Sequence, residues 1–419
     1  MTVMVVGAGP AGLSAARELR RLGVGSVLVA DREAAAGGVP RHSFHTGYGL
    51  RDRHRVMTGP SYAQALAGAA VAAGAQVRAG TTVTCLDVRP GGPHQVTLTS
   101  AAGIETVPAA AVLLATGCRE RPRAARLVPG DRPAGVMTTG ELQQRVYLGG
   151  ERLTGRALVV GAEHVSFSAA VTLAHAGAEV VALVTGHERQ QSYAAFRLGA
   201  AVRWRIPVWT RSTVSRILGS RIVAGQGAER GRLAGVEVTR DGTARFVPCE
   251  TVVFTGDWIP DHELARRAGL GLDPGTRGPA VDTALATSVP GVFAAGNLVH
   301  AAETADIAAL SGRHAARQVA AFLRGELDDG FAVPVVAEPP LRWISPNVAG
   351  AAAAPPLGRF VLRSGEFRRG ARLEARQDGR LLTRSRPVRL IPERPVHLAA
   401  GWLDQVDRAG GPVRVGTGQ

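Results

Sequence analysis

The feature that most constrains the fold of this chain is a glycine turn that joins an apolar strand to a helix near the first residue. Residues Thr2 to Val6 form a short apolar run, and the next six residues, GAGPAG, have the spacing GxGxxG. The pattern then predicts a helix over Leu13 to Leu22 and a second strand over Ser26 to Ala30, followed directly by Asp31. This order predicts the first half of a nucleotide-binding βαβ unit.

Each glycine of this turn has a physical role in such a unit. Gly7 permits the tight turn, Gly9 lets the backbone approach a pyrophosphate, and Gly12 lets the helix pack on the strand. Asp31 follows Gly7 by 24 positions (31 minus 7), near the spacing of about 20 at which an acid accepts hydrogen bonds from a ribose. The alternative is a glycine-rich turn that binds no ligand.

A second unit repeats this pattern with a damaged motif. Glu163 and Ser166 stand where the second and third glycines belong, and Thr185 replaces the ribose-binding acid. A carboxylate at the second position is bulky and repels a pyrophosphate, so the pattern predicts a retained fold without nicotinamide binding. The alternative is a variant binding mode in which Glu163 turns outward. The pattern predicts a strand over 157–160, the turn over 161–166, a helix from this turn through residue 176, and a second strand over 179–184.

Composition excludes several classes of function. The chain has 419 residues, enough for about three domains, with 45% hydrophobic residues and no apolar run of the roughly 20 residues that a membrane span needs. The net charge is +15, yet all 49 basic residues are arginines, and they are scattered without alternating aromatic residues. We therefore expect no nucleic-acid partner. The absence of lysine excludes Schiff-base chemistry.

Cysteine usage excludes further chemistry. Cys85, Cys118 and Cys249 are widely separated, so the chain has no CxxC pair, disulfide framework or cysteine-ligated iron–sulfur cluster, and we expect no metal site. The opening residues also lack the basic segment of a signal peptide, which predicts a cytoplasmic location.

Three further regions complete the pattern. A polar and aromatic loop with His42 and His45 follows Gly37 and Gly38, and a buried strand over Ala111 to Ala115 ends in ATG at 115–117. The segment TSVPGVFAAGN at 287–297 leads into a helix predicted over Thr304 to Leu323. Beyond Phe331, short alternating segments predict a small β-rich region, with Asp378 and Gly379 as a hairpin turn.

These motifs together resemble the FAD-dependent pyridine nucleotide-disulphide oxidoreductase superfamily. GAGPAG, the ATG strand, the degraded turn at 161–166 and TSVPGVFAAGN occur in that family's order over about residues 1 to 325. A finer resemblance, carried by HTGYGL, MTGPSYA, ATGCRERPR and PGDRPAGVMTTG, is to the bacterial subunits related to opine oxidase, hydroxyproline dehydrogenase, hydrogen cyanide synthase and glycerol-3-phosphate dehydrogenase-associated flavoproteins. That branch lacks the disulfide-reducing cysteine pair.

The resemblance implies an α/β fold of two Rossmann-like dinucleotide-binding domains, the second inserted in the first, plus a small β-rich C-terminal domain. The expected domains are 1–140 and 258–330 for FAD binding, 141–257 for the inserted domain, and 331–419 for the C-terminal domain. The expected cofactor is FAD. The expected FAD contacts are Gly7, Gly9, Gly12, Asp31, Gly38, Thr116, Gly117, Gly296 and Asn297.

The expected function is oxidation of a small amine, amino acid or polyol, with electrons passed to a non-nicotinamide acceptor. A partner subunit or a homo-oligomer is expected, as in a heteromeric dehydrogenase. The alternatives are an NAD(P)H-dependent flavin reductase and a non-catalytic flavin electron-relay subunit. Four residues near the expected flavin are candidate catalytic groups, although each histidine can equally be structural: His42, His45, His300 and Glu303.

Overall fold

The chain forms two compact units in the computed structural model. The first unit comprises Met1–Arg41, Thr46–Cys118 and Pro260–Gln419, and the second comprises His42–His45 and Arg119–Ile259. The structure describes residues 2–193, 205–220, 231–327, 332–350 and 354–418. The domain boundary predicted at Phe331 lies outside the described residues.

A five-stranded parallel sheet forms the centre of the first unit. Four of its strands are apolar and almost wholly buried, as expected where helices cover both faces of a parallel sheet, whereas the edge strand Gln76–Arg78 is partly exposed. In spatial order the strands are Val292–Ala294, Ala111–Leu114, Thr2–Val6, Ser26–Ala30 and Gln76–Arg78. The helices of this unit are Pro10–Arg21, Gly59–Ala72, Glu263–Arg267 and Ala305–Leu323.

The sequence pattern predicts helices over Leu13 to Leu22 and Tyr62 to Ala73, and both helices begin three residues earlier in the structure. Pro10 occupies the first turn of the first helix, where its fixed φ suits the helix and its missing N–H would have no partner. Thr58 caps the second helix, because its side chain accepts a hydrogen bond from the Ser61 N–H. Local capping chemistry thus sets the starts that apolar spacing placed too late.

The remaining strands of the first unit pair mostly in antiparallel fashion, although Ala332–Ala337 pairs in parallel with Val413–Gly418. Asp378 and Gly379, with φ of +48° and +80°, form the predicted hairpin turn between two paired strands. The C-terminal strands enclose their own core around Phe360 and Trp402, which are 0% and 1% exposed. One sheet contains Thr82–Asp87, His94–Ser100 and Gly103–Ala109. The C-terminal strands are Ala332–Ala337, Leu341–Ser345, Val348–Gly350, Arg359–Ser364, Arg368–Gln377, Arg380–Arg384, Val388–Leu390, Pro395–Ala399 and Val413–Gly418.

The second unit repeats the parallel architecture of the first. Its parallel sheet has the strand order Val136–Thr138, Thr251–Phe254, Arg156–Val160, Glu179–Val184 and Val208–Trp209. Its helices are Thr139–Gln143, which continues as a π turn over Gln144–Leu148, and His164–Ala176. Its antiparallel sheet contains Ser212–Gly219, Leu233–Arg240 and Thr243–Pro248. The short strands Cys118–Glu120 and Trp258–Pro260 lie where the chain passes between the units.

Both units therefore have parallel sheets with helices, and the predicted α/β class with two Rossmann-like domains is confirmed. The longer segment of the second unit runs over Arg119–Ile259, and the predicted inserted domain runs over 141–257. Within the described ranges, no helix combines the length and the apolar character that a membrane crossing requires.

Candidate active site

The first glycine turn leaves open space at one of its three glycines. A Cβ on Gly7, where φ is +104°, would lie 2.5 Å from the Ala115 carbonyl oxygen, and a Cβ on Gly12 would lie 1.9 Å from the Gly7 carbonyl oxygen. A Cβ on Gly9 would meet no atom within 4 Å. Gly9 is the N-cap of the helix Pro10–Arg21, and no side chain caps it. The helix N-terminus therefore presents bare backbone to open space, which suits a pyrophosphate.

Asp31 is anchored to this turn by backbone hydrogen bonds. The Ala8 N–H donates to Asp31 Oδ2 at 2.6 Å, and the Glu33 N–H donates to Asp31 Oδ1 at 2.8 Å. Each carboxylate oxygen has lone pairs for a second donor, so a ribose hydroxyl can still bind. Gly38 also approaches the turn, since its φ is +64° and a Cβ there would lie 2.9 Å from the Gly9 Cα.

Thr116 and Gly117 join the end of the first part of the unit to its return segment. The Thr116 hydroxyl donates to the Asp261 carbonyl oxygen at 2.8 Å, and the Asp261 N–H donates to the Gly117 carbonyl oxygen at 2.9 Å. Gly117 has φ of +76°, which suits glycine. These two predicted cofactor contacts thus also hold the chain where it returns to the first unit.

Gly296 and Asn297 shape the loop before the last long helix. A Cβ on Gly296 would lie 2.8 Å from the Ala11 Cβ, so only glycine allows this approach to the first helix. The Asn297 side chain binds Glu303 twice, because its Oδ1 accepts from the Glu303 N–H at 2.9 Å and its Nδ2 donates to the Glu303 carbonyl oxygen at 3.1 Å. The amide therefore closes the loop 297–303, and its oxygen keeps one lone pair for a cofactor hydroxyl.

The four candidate catalytic residues divide between the units. His300 and Glu303 lie in the first unit, and His42 and His45 belong to the second. His42 is buried, His45 is half-buried, and Phe44 between them stacks on the Tyr147 ring with centroids 4.3 Å apart. The short segment from His42 to His45 thus packs with the second unit although it follows the first glycine turn in sequence.

His300 and Glu303 lie beside C-terminal strands that the sequence motifs do not single out. Burial, reinforced by the Arg363 charge, lowers the pKa of His300 to about 3, so the imidazole is neutral at pH 7. Burial raises the pKa of Glu303, and the Arg363 guanidinium opposes this effect from 3.3 Å. Burial and the charge of Arg359 lower the pKa of His397 to about 4.

Sequence reasoning missed Arg359, Arg363 and His397 as site residues. A signal existed in the segment RFVLR, where arginines alternate with apolar residues and Phe360 and Leu362 are both 0% exposed. Such alternation places both arginines on the opposite face of the strand from the core.

The second glycine turn holds a buried carboxylate. The Thr255 hydroxyl donates to Glu163 Oε1 at 2.5 Å and lies 2.6 Å from the Ser166 hydroxyl. Glu163 Oε2 would lie 2.7 Å from a Cβ on Gly161, and Glu163 Oε1 would lie 2.8 Å from a Cβ on Gly256. The Glu163 residue is only 8% exposed. The side chain therefore points into the turn rather than outward.

A second buried carboxyl group in the same unit was not identified from the sequence. Burial raises the pKa of Glu120 to about 7, and the nearby charge of Glu163 adds to the rise. Glu120 Oε2 accepts from the Gly140 N–H at 3.0 Å. The Arg126 guanidinium donates to the carbonyl oxygens of Thr255 and Gly256 at 2.9 and 2.8 Å. Residues 120, 126 and 163 thus place two carboxyl groups and one guanidinium around the second turn.

Comparison with known proteins identifies the relatives of this fold. The family model described as pyridine nucleotide-disulphide oxidoreductase matches residues 1–312. Thioredoxin reductase from T. acidophilum is 21% identical, with a TM-score of 0.58 over 77% of this chain and 98% of that chain. An NAD-dependent persulfide reductase from A. fulgidus is 18% identical, with a TM-score of 0.56 over 90% and 68%. No curated protein sequence matches.

A third solved structure, the covalent putidaredoxin reductase–putidaredoxin complex, is 21% identical, with a TM-score of 0.56 over 94% of this chain and 88% of that chain. At these identities the structures establish the shared fold. The family match covers well over half of the chain, and its members bind FAD, for which the open Gly9 turn and Asp31 are suited. FAD is the cofactor and oxidoreduction the general activity, and the chain belongs to the pyridine nucleotide-disulphide oxidoreductase family.

Proposed function

We propose that this chain is a dehydrogenase that oxidises a small amine, amino acid or polyol and passes the electrons to a non-nicotinamide acceptor. The observation that carries the proposal is the buried Glu163 carboxylate in the second glycine turn. In a Rossmann unit this turn is where the pyrophosphate of a dinucleotide approaches the backbone. In this proposal the second unit keeps the Rossmann fold but does not bind a nicotinamide dinucleotide.

Electrostatics argues against nicotinamide binding at this turn. Two negative unit charges 4 Å apart repel by about 4 kcal/mol at an effective dielectric constant of about 20, which weakens binding roughly a thousandfold. The hydrogen bond from Thr255 holds Glu163 in place, and rotation outward would break it. The bulk and the charge of the Glu163 side chain thus both oppose nicotinamide binding.

The cysteines support an activity other than disulfide reduction. Cys85, Cys118 and Cys249 are widely spaced in the sequence. Burial raises the pKa of the Cys249 thiol to about 12, so at neutral pH this residue is not a thiolate nucleophile. A dithiol that exchanges with a substrate disulfide needs two neighbouring cysteines, and the sequence offers none.

FAD, when bound, accepts the hydride equivalent of the oxidation. The chain's own residues bind and orient the reactants: the Gly9 turn and Asp31 hold the nucleotide, and Asn297 fixes the loop that carries His300. His300 is neutral near pH 7 and can orient the substrate amine or hydroxyl by accepting a hydrogen bond, whereas its pKa of about 3 makes it a weak proton acceptor. His42, His45 and Glu303 remain further candidates for this role.

Anaerobic reduction of the purified holoprotein tests the proposal. We expect NADH and NADPH to bleach the flavin absorbance slowly, and a member of a panel of amines, amino acids and polyols to bleach it rapidly. Glu163→Gln removes the charge at nearly constant volume and should increase the rate with NADH, whereas Glu366→Gln, an exposed carboxyl, should not. Rapid stoichiometric bleaching of the wild type by either nucleotide would instead support an NAD(P)H-dependent flavin reductase.

A protein partner is the proposed electron acceptor. The putidaredoxin reductase structure, which shares the fold of this chain, is of a complex with a protein redox partner. The C-terminal strands extend the chain beyond residue 312, where the family match ends, and they offer a surface for such a partner. A homodimer interface is the alternative use of this surface, and a flavin electron-relay subunit without its own substrate is the alternative role of the chain.

A further inference from the structure

An antiparallel sheet in the C-terminal part of the first unit carries two arginines on one face, of which Arg363 is buried and Arg359 is half-buried. In the strand Arg359–Ser364, the side chains of Phe360 and Leu362 enter the core, so Arg359, Val361 and Arg363 share the other face. The register places His397 opposite Val361 and Trp343 opposite Arg363. Strand pairing thus assembles two arginines and a histidine from separate segments.

A small cavity lies over this face. Arg359, Val361 and His397 line one side of it, and His300, Ile307 and Ser311 line another. Its volume is about 30 Å³, which leaves room for about two water-sized groups. The two oxygens of a carboxylate are about this size. His300 is three residues from Asn297, so the cavity adjoins the loop assigned to the flavin.

Several polar atoms around this cavity lack a hydrogen-bond partner. They are Nε of Arg359, Nε and Nη1 of Arg363, and Nδ1 of His300. The Arg363 side chain is 5% exposed, and its Nη2 donates a hydrogen bond to the Ala302 carbonyl oxygen at 2.5 Å. Buried donors without partners are costly, so such a group indicates a missing acceptor.

The charges around the cavity are also unbalanced. Arg359 and Arg363 supply two positive charges beside one carboxyl group, Glu303, which lies 3.3 Å from Arg363. His300 and His397 are held neutral, since burial and the Arg363 charge lower the pKa of His300, and burial and the charges of Arg359 and Arg363 lower the pKa of His397. A net positive charge in a buried site is stabilised by an anion.

We propose that this cavity binds the carboxylate group of the substrate, with Arg359 and His397 contacting it directly and Arg363 adding charge from beside His300. The inference rests on the proposed function and narrows its substrate class to carboxylate-bearing amines and amino acids. Guanidinium donors match the geometry of a carboxylate, and neutral imidazoles can donate to it. The remainder of the substrate would extend from the cavity past His300.

Calorimetric titration of the FAD-loaded protein with sodium acetate tests the site without requiring turnover. We expect acetate to bind and the neutral isostere acetamide not to bind. Arg359→Met should weaken acetate binding about tenfold or more, and Arg359→Lys should retain part of the affinity. Arg414→Met is the matched control, since this arginine is exposed in the same C-terminal region and lies outside the cavity lining. Arg363→Met should also weaken binding if the variant folds.

The outcomes separate this inference from the proposed function. Loss of FAD from the wild-type protein would contradict the proposed function itself. Retained FAD with no acetate binding, or with equal binding in Arg359→Met, would overturn the carboxylate site alone. Phosphate that binds more tightly than acetate and depends on Arg359 would also overturn it, in favour of a phosphorylated ligand. Flavin reduction by amino acids but not by the matching decarboxylated amines would support it.

Discussion

At the residue scale, a substitution of Gly9 tests the proposed pyrophosphate contact most directly. Its Cβ position faces open space, so a side chain there perturbs the ligand rather than the fold. We expect Gly9→Glu to release FAD, because its carboxylate would occupy the pyrophosphate position and repel it. The measurement is the ratio of flavin to protein absorbance after gel filtration, with circular dichroism to verify folding.

Gly9→Ala is the control for this prediction. Gly9 has φ of −81°, which alanine adopts without strain, and a methyl group meets no protein atom. Most of the FAD should therefore remain bound to Gly9→Ala. Equal FAD content in Gly9→Glu and the wild type would contradict the assignment of this turn to the pyrophosphate.

The raised pKa of Glu120 predicts that the stability of the second unit depends on pH. Its pKa is raised from 4.5 to about 7 in the folded state, so the folded protein binds more protons than the unfolded chain between these values. Stability therefore falls as pH rises from about 4.5 to 7, by about 3 kcal/mol in total. Glu120→Gln keeps an acceptor for the Gly140 N–H and should remove this loss.

Chemical denaturation of the wild type and Glu120→Gln at pH 5 and pH 8 measures the effect. The variant should be more stable than the wild type at pH 8, and the difference should be much smaller at pH 5. Glu366→Gln, at an exposed position, is the control for the general effect of removing a carboxylate. A stability difference independent of pH would refute the raised pKa.

At the scale of elements, the first and last helices of the first unit pack by direct contact with backbone. A Cβ on Gly312, in the helix Ala305–Leu323, would lie 2.0 Å from the Ala11 carbonyl oxygen. Gly312→Ala should force the helices apart and destabilise the first unit by about 1 to 3 kcal/mol. Since Gly296, in the loop before this helix, also approaches Ala11, FAD affinity should fall as well.

Gly68→Ala provides a matched control for Gly312→Ala. Gly68 lies within the helix Gly59–Ala72, and a Cβ there meets no atom within 4 Å. Helix propensity predicts that Gly68→Ala stabilises the protein by about 0.5 to 1 kcal/mol. Thermal denaturation followed by flavin fluorescence should therefore shift in opposite directions in the two variants, and a shift in the same direction would argue against the close helix contact.

At the scale of the whole molecule, we predict that electrons leave the reduced flavin for a partner subunit rather than for oxygen. Turnover of the isolated protein with oxygen should be slow, and an added artificial acceptor or the partner subunit should increase it at least several-fold. Stopped-flow reoxidation of the reduced protein measures the rate with each acceptor. Full turnover with oxygen alone would contradict the proposal that a partner subunit accepts the electrons.

Deletion of the C-terminal strands is a poor test of electron transfer to a partner, because these strands make hydrogen bonds and an ion pair with the rest of the first unit. Asn347 Oδ1 accepts from the Val281 N–H at 2.8 Å, and Arg363 pairs with Glu303. Deletion of the segment would leave Val281 and Glu303 without these partners. Partner binding is therefore better tested on the full-length chain.

Much of the fold and of the cofactor site could be predicted from the sequence, because both depend on local patterns. The buried strands Thr2–Val6 and Ser26–Ala30 have the bounds that their apolar runs indicate. The hairpin at Asp378 and Gly379 needed only a two-residue turn in which both residues adopt positive φ. The FAD assignment of Gly7, Gly9 and Asp31 remains a prediction that the geometry favours.

Other features depend on residues distant in sequence, and only the tertiary structure decided them. The sequence could show a glutamate at position 163, but its inward orientation depends on Thr255, 92 residues later. His300 and Arg359 line one cavity because strand pairing and helix packing bring their segments together. A short motif specifies backbone conformation within a few residues, whereas the charge and burial of a site are sums over neighbours that the motif does not contain.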